Sequence, residues 1–441
     1  MSVSRRAKAM SGAALAVAVL TAGCGGGADA SDEPYDPDAP VTLSIGLFGT
    51  FGYKEAGLYQ EYMDLHPNVT IEETSIAQSA PYYKALQTRL AAGSGLEDIQ
   101  GLEIGFIADI VTNHADAFAD FSRTDDAAEV EQTFYDWKYD QATTEDGRVL
   151  GLGTDAGPQA MCFRKDLFAQ AGLPTDRAEL GRMWSDWDGY LDVARQYQAS
   201  PTRPADSAFV DSPASIFSSA VYQGDLAYND EEGNPIPDSS DGVETAWSHA
   251  SEAAADDLTA GLDQFSDEWN SAFANGAFAT VACPAWMLGY ITTQLGDGGA
   301  GLWDVAPLPG QSEQASNWGG SWLGVPAGGE DQEAAMALVE WLTAPEQQIK
   351  MFTREAHFPS SPVAAEDPQV ADATSDYFSG APIGRLFGES AANIRRTPIG
   401  PYDTQIQEAF TTALSDVATR GTAPDAALDD ALKAAGQATG G

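Results

Sequence analysis

Between Val41 and Ile104 the chain alternates short strand-like runs with helical ones, and this succession restricts its possible folds more than any other feature. Val41-Thr42-Leu43-Ser44-Ile45 alternates apolar with polar residues and predicts a first strand. Glu55 to Leu65 predicts a helix with Leu58, Tyr62 and Leu65 on one face, stopped at His66-Pro67. Val69 to Ile76 reads as a second strand and Tyr82 to Ala92 as a helix closed by Gly93-Ser94-Gly95. Asp98 to Ile104 reads as a third, buried strand. Strands separated by helices predict an α/β fold with a parallel-type sheet covered on both faces. Ligands of such sheets sit beyond the carboxyl ends of the strands.

The middle of the chain repeats the pattern. Ala160 to Phe163 predicts a strand, Lys165 to Ala171 a helix, and Ser185-Asp186-Trp187-Asp188 opens a helix that runs to Tyr197. Asp267 to Asn275 reads as helix and Ala277 to Cys283 as the strand entering Pro284-Ala285-Trp286. Helices are expected over Asp331–Trp341, Pro345–Thr353, Asp403–Arg420 and Pro424–Ala435. The polar stretch Asn229 to Gly242 reads as a surface loop whose acid spacing does not fit an EF-hand. At roughly 150 residues per domain, 441 residues suggest two or three domains or one bilobal unit.

Charge and missing motifs narrow the function. The formal net charge of −44 argues against nucleic acid, because phosphate contacts need clustered Lys and Arg. The four histidines are scattered, and no G-x-S-x-G, G-x-x-x-x-G-K or strand-to-helix G-x-G-x-x-G is present. No metal site, cofactor or catalytic residue is therefore expected, and among 66 acidic residues no glycosidase-type pair is singled out.

Arg5, Arg6 and Lys8 precede the apolar run Ala13 to Leu20, which is too short to span a membrane and reads as a secretory signal over residues 1–23. Leu20-Thr21-Ala22-Gly23-Cys24 resembles the bacterial lipobox, which implies lipidation of Cys24. Removal of the signal takes three of the 22 cations and no acid, leaving a net charge of −47. Residues 24–40 carry almost nothing apolar and read as a flexible tether. Cys162 and Cys283 remain, and in an oxidising exterior a disulfide between them would make their strands neighbours, with Cα atoms within ~7 Å. Two buried thiols are the alternative.

Aromatic residues fall where the fold rule puts ligands. Phe48, Phe51 and Tyr53 follow the first strand, Trp286 follows a strand directly, and Trp318 and Trp322 flank Gly319-Gly320-Ser321. A flat ring loses little rotamer entropy and stacks on the apolar face of a pyranose, while polar side chains bond its hydroxyls. Gln78, Glu103, Asp155, Gln159 and Asn317 stand after predicted strands or crossovers and are the polar candidates.

With the lipobox, this pattern and the segment Glu333-Ala334-Ala335-Met336-Ala337-Leu338-Val339-Glu340-Trp341-Leu342, the chain resembles the extracellular solute-binding proteins of bacterial sugar ABC importers. Gly151–Asp155, Met161–Phe168, Cys283–Met287, Asn317–Ser321 and Pro359–Pro362 are similar to the cello-oligosaccharide-binding lipoproteins, which share much with xylo-oligosaccharide binders. The resemblance implies a two-lobed periplasmic-binding-protein-like fold of type II with hinge crossovers. Lobe one would comprise 41–152 and 308–355, and lobe two 156–304 and 360–441. It implies Trp286 as the main stacking platform, Phe51, Tyr53 and Glu103 opposite it, Asp155 in the cleft, and Trp318 and Asn317 on the hinge side. Gln78, Gln159 and Trp322 complete the expected ligand set. The implied role is capture of cellobiose or cellotriose by a monomer, lipid-anchored outside the cell membrane, for delivery to a permease. Binding of another neutral oligosaccharide and a surface glycoside hydrolase are the alternatives.

Overall fold

The computed structural model describes residues 39–440. The expected signal, Cys24 and nearly all of the tether lie outside the described residues. Two sheets organise the chain. The first contains β1 (Val41–Phe48), β2 (Val69–Ile76), β3 (Ile99–Glu103), β4 (Leu152–Gly153) and β9 (Ser321–Gly324), in the order β2-β1-β3-β9-β4. The second contains β5 (Gln159–Arg164), β6 (Ala208–Val210), β7 (Phe278–Pro284) and β8 (Trp303–Ala306), in the order β6-β7-β5-β8.

The expected parallel sheet is present only in part. β2, β1 and β3 are parallel, but β9 is antiparallel to both β3 and β4. In the second sheet only β6 and β7 are parallel, and β5 runs against β7 and β8. The right-handed crossover rule acts on strands joined by one helix. β9 instead returns from the second sheet, so no βαβ unit fixes its direction.

Alternation places each strand's side chains into two cores. Leu43, Ile45 and Leu47 pack with the Leu58–Leu65 and Gln332–Thr343 helices, while Leu102 and Trp322 pack on the other face with the Ser79–Ala92 and Ile104–Asn113 helices. Met161 and Phe163 face a core shared with the Trp187–Ala199, Asp241–Ala255 and Asp403–Arg420 helices. Ala160 and Cys162 face the opposite core, with Val281, Cys283 and Trp303. Among the described residues no helix is long and apolar enough to cross a membrane.

Three stretches connect the sheets, near residues 153–159, 306–321 and 355–362. They are tied together by backbone bonds: Thr154 N to Ser321 O at 2.9 Å, Ala156 N to Phe358 O at 2.8 Å, and Trp318 N to Gly157 O at 2.8 Å. Gly157 has to be glycine, since a Cβ there would lie 1.9 Å from the Trp318 carbonyl oxygen.

Cys162 and Cys283 are joined as a disulfide on adjacent antiparallel strands, with Cα atoms 5.7 Å apart and a sequence separation of 121. Closing so long a loop restricts the unfolded chain. The Cys162→Ala/Cys283→Ala variant should lose about 2–4 kcal/mol of stability in denaturant titration and, unlike the parent, should not respond to reductant.

Candidate functional site

A cleft of about 450 Å³ separates the two sheet units. From the first side it is lined by Glu103 and Phe106, at the end of β3 and the start of the helix that follows, and by Trp137 and Gln141 of the Asp136–Gln141 helix. From the second side come Tyr222, Asp403, Thr404 and Gln407, and at its base lie Asn317, Trp318 and Gly319. The carboxyl end of β3 thus faces the amino end of the Asp403–Arg420 helix. Thr404 Oγ1 donates to the Gly105 carbonyl at 2.7 Å, and Arg396 pairs with Asp140 at 3.3 Å. Both contacts cross between the units.

Trp137 and Gln141 stand one helical turn apart, so they share a face. Trp137 is 6% exposed; its indole Nε1 and the Gln141 Oε1 are buried without a protein partner. A buried donor and a buried acceptor left unmatched are costly, on the order of 1–3 kcal/mol each. Together they offer what a hydroxyl group needs.

Two carboxyls face the cleft from opposite sides. Glu103 caps its helix by accepting from Gly105 N at 2.9 Å, and burial pushes its carboxyl up to about 7 against the pull of that amide and of Lys138. Asp403 accepts from Asn229 Nδ2 at 2.6 Å, and burial likewise pushes it up to about 7. Beneath the cleft, Lys138 is fully buried, with Nζ 3.1 Å from the Trp322 ring centroid and no hydrogen-bond partner. Burial draws its ammonium down to about 7, although Asp155 and Glu103 act in the opposite direction.

The residues expected from sequence divide into those on the cleft and those behind it. Glu103, Asn317 and Trp318 line it. Trp286 stands behind Trp318, donating from Nε1 to its carbonyl at 2.9 Å with the rings edge to face at 5.5 Å. Gln78 is exposed just before the Ser79–Ala92 helix, whose first residues reach the cleft. Asp155 is a strut between connections: Oδ1 accepts from Ser321 N at 2.9 Å and from the Thr154 hydroxyl at 2.8 Å. Gln159 is fully buried, and its Oε1 accepts from Ser316. Phe51 and Tyr53 are core residues at 8% and 2% exposure, because the chain turns back over the sheet at Gly52 (φ +82°). The Phe51 ring packs on Gly101, where a Cβ would lie 3.0 Å from its Cζ. Trp322 is fully buried inside β9, facing the helix side of the sheet.

Trp137, Gln141, Tyr222 and Asp403 were not found by sequence reasoning. Trp137 and Gln141 fall on a six-residue helix too short for a readable period, and Asp403 gave no signal beyond an acid at a helix start.

Residues 57–375 match the family profile described as bacterial extracellular solute-binding protein. The chain is 25% identical over 422 residues to the lactose-binding protein of Rhizobium radiobacter, covering 93% of each. A crystal structure described as extracellular solute-binding protein family 1 superposes with a TM-score of 0.82 at 41% identity, over 91% of this chain and all of that one. The ABC transporter associated binding protein of B. animalis subsp. lactis Bl-04, solved with β-1,6-galactobiose, superposes with a TM-score of 0.73 at 20% identity, over 90% and 96% of the two chains.

The raised carboxyl of Asp403 sets a pH dependence. The folded state holds this proton more tightly than the unfolded chain, so its contribution to stability is whole below the ordinary value of 3.8 and is lost as pH rises to about 7. Asp403→Asn keeps an acceptor for Asn229 and removes the buried charge. Its melting temperature should exceed the parent's by a margin that widens from pH 4 to pH 7 and is constant above; a margin independent of pH would remove the burial argument.

Proposed function

The chain belongs to the bacterial extracellular solute-binding protein family, and from that premise we propose that it captures a neutral oligosaccharide between its lobes for an ABC importer. The observation that carries this reading is the Trp137–Gln141 face, a buried indole N–H and amide oxygen without partners on a cleft that also presents Trp318, Tyr222 and Phe106. Aromatic faces stack on the C–H side of a pyranose, and paired donors and acceptors match its hydroxyls. The lining carries Glu103, Asp403 and Glu408 against Arg395, the same three-to-one proportion of acids to cations as the whole chain, 66 to 22. Such a lining has no convergent cations to select an anion.

Within that class we favour cello-oligosaccharides. The support is the resemblance of Cys283–Met287 and Asn317–Ser321 to cello-oligosaccharide binders, since these segments build the Trp286–Trp318 base of the cleft. The lactose-binding relative makes lactose the first competing probe. The lobes are taken as 41–152 with 308–355 and 156–304 with 360–441, closing about Asp155. A lipid on Cys24 and the tether to residue 40 would hold a monomer outside the membrane, beside the permease. Hydrolysis requires one carboxyl kept protonated and another kept ionised. Burial pushes Glu103 and Asp403 up alike, so their environments mark neither out as the acid or the base.

Titration of the mature chain with cellobiose, cellotriose, xylobiose, maltose and lactose, followed by tryptophan fluorescence and calorimetry, tests the reading. A saturable response to the cello series is expected, with Trp318→Ala and Trp137→Phe each weakening it by about 1–3 kcal/mol. A response to lactose or xylobiose alone would move the ligand. Release of reducing ends would overturn the transport role.

A further inference from the structure

The cleft does not end at Gln407. A second groove, of about 430 Å³, continues it along the second-sheet side, and the two share Ser218, Gln407 and Thr411. Beyond that row the walls carry the hydroxyls of Ser212, Thr412 and Ser415 and the Gln264 amide, beside the acid Asp263 and the apolar Pro213 and Leu262. The charges at its far end compensate each other, Arg420 lying 2.8 Å from Asp416. Gln264 is held rigidly, its Nε2 donating to Asp211 Oδ2 at 3.1 Å and to Ser215 Oγ at 2.8 Å.

Phe265 follows immediately. Its φ of +65° lies in the left-handed region, which strains a bulky side chain. The turn leaves the residue 48% exposed. Yet the ring does not dangle in solvent. Its centroid is 6.3 Å from Trp286 at an interplanar angle of 24°, 6.0 Å from Trp318 and 5.1 Å from Trp269. A strained turn that leaves an aromatic residue half exposed, with its ring against Trp318 at the base of the cleft, builds a stacking surface where core packing would have buried it.

The geometry points to Phe265 and the adjoining groove as a second saccharide subsite, so that the ligand is a trisaccharide or longer, running from Trp318 past Phe265 along the hydroxyl-lined wall. This rests on the oligosaccharide reading above and extends it to chain length. The alternative role for Phe265 is to brace Trp286 and Trp318, and the two roles separate by ligand length.

The test is calorimetry of the mature chain with the di-, tri- and tetrasaccharides of the cello, xylo and malto series and with lactose, on the parent, Phe265→Ala, Phe265→Tyr and Ser415→Trp, with circular dichroism as the folding check. In the series that binds, the parent should gain tenfold or more in affinity from disaccharide to tetrasaccharide. Phe265→Ala should lose about tenfold on the longer ligands only, Phe265→Tyr should restore it, and Ser415→Trp, which fills the groove, should also spare the disaccharide. Equal losses at every length would make Phe265 a brace and overturn the subsite. Affinity independent of length would overturn it while leaving the oligosaccharide reading intact. Absence of binding to every saccharide would overturn both.

Discussion

Asp155 is the point on which the two halves of the molecule depend. Its carboxylate receives the Ser321 amide, so the first connection between the sheets is fastened to the start of β9. Two residues on, Gly157 lies so close to Trp318 that any side chain would collide with the backbone. Asn317 completes the joint, accepting the Gly157 amide at 2.8 Å and donating to the Gly319 carbonyl at 2.8 Å. Gly319 and Gly320 both stand at φ +90°, a conformation open to glycine, and a Cβ on Gly320 would meet the Lys138 ammonium at 2.9 Å. The base of the cleft is therefore fixed by backbone geometry, and Trp318 inherits its position from it.

Lys138 shows what that fixed base costs. A cation fully out of water and without a hydrogen bond is unfavourable, and the fold answers with three partial compensations. The Trp322 ring faces it, Asp155 and Glu103 supply opposite charge at longer range, and the proton itself is held loosely. A ring face contributes on the order of 2 kcal/mol to a desolvated ammonium, less than its burial costs. Trp322 thus serves the site from below, by supporting the charge beneath the connections, and its indole N–H is spent on the Lys138 carbonyl at 3.2 Å.

The legible parts of this fold were those with local causes. The Asp267–Asn275 and Asp403–Arg420 helices were readable to their ends, because caps and turn residues sit in the sequence beside them: Ser266 accepts from Trp269 N, and Gly276 and Gly421 are left-handed. Strand direction in the sheets was not readable, since β9 returns through a connection whose path no local pattern records. The same limit governed the site. Glu103 was singled out as the end of a strand, Asn317 as the end of a crossover and Trp318 as the approach to a strand, and all three line the cleft. Phe51 and Tyr53 satisfied those same rules but were folded back into the core at Gly52. Trp137, Tyr222 and Asp403 meet only because the connections bring together residues 85 or more positions apart, and sequence carries no trace of that.

The contacts that cross the cleft mouth are few and individually weak. Thr404 gives one hydrogen bond to a carbonyl, worth about 0.5–1.5 kcal/mol net, and Arg396–Asp140 is a surface pair with the arginine 72% exposed, worth about 0–1 kcal/mol. Ile399 adds a half-buried side chain against the first-sheet core. Set against the unmatched atoms of Trp137 and Gln141, these contacts leave closure with little driving force of its own. On the proposed reading, a ligand that satisfied Trp137 and Gln141 on one side of the cleft while reaching Asp403 and Thr404 on the other would change that balance, because it would touch both sides at once. Were the lobes to close on it, its differential affinity for the two states would supply the closing free energy. In that reading the weakness of the direct contacts serves capture, since strong ones would hold the cleft shut whether or not a sugar was inside.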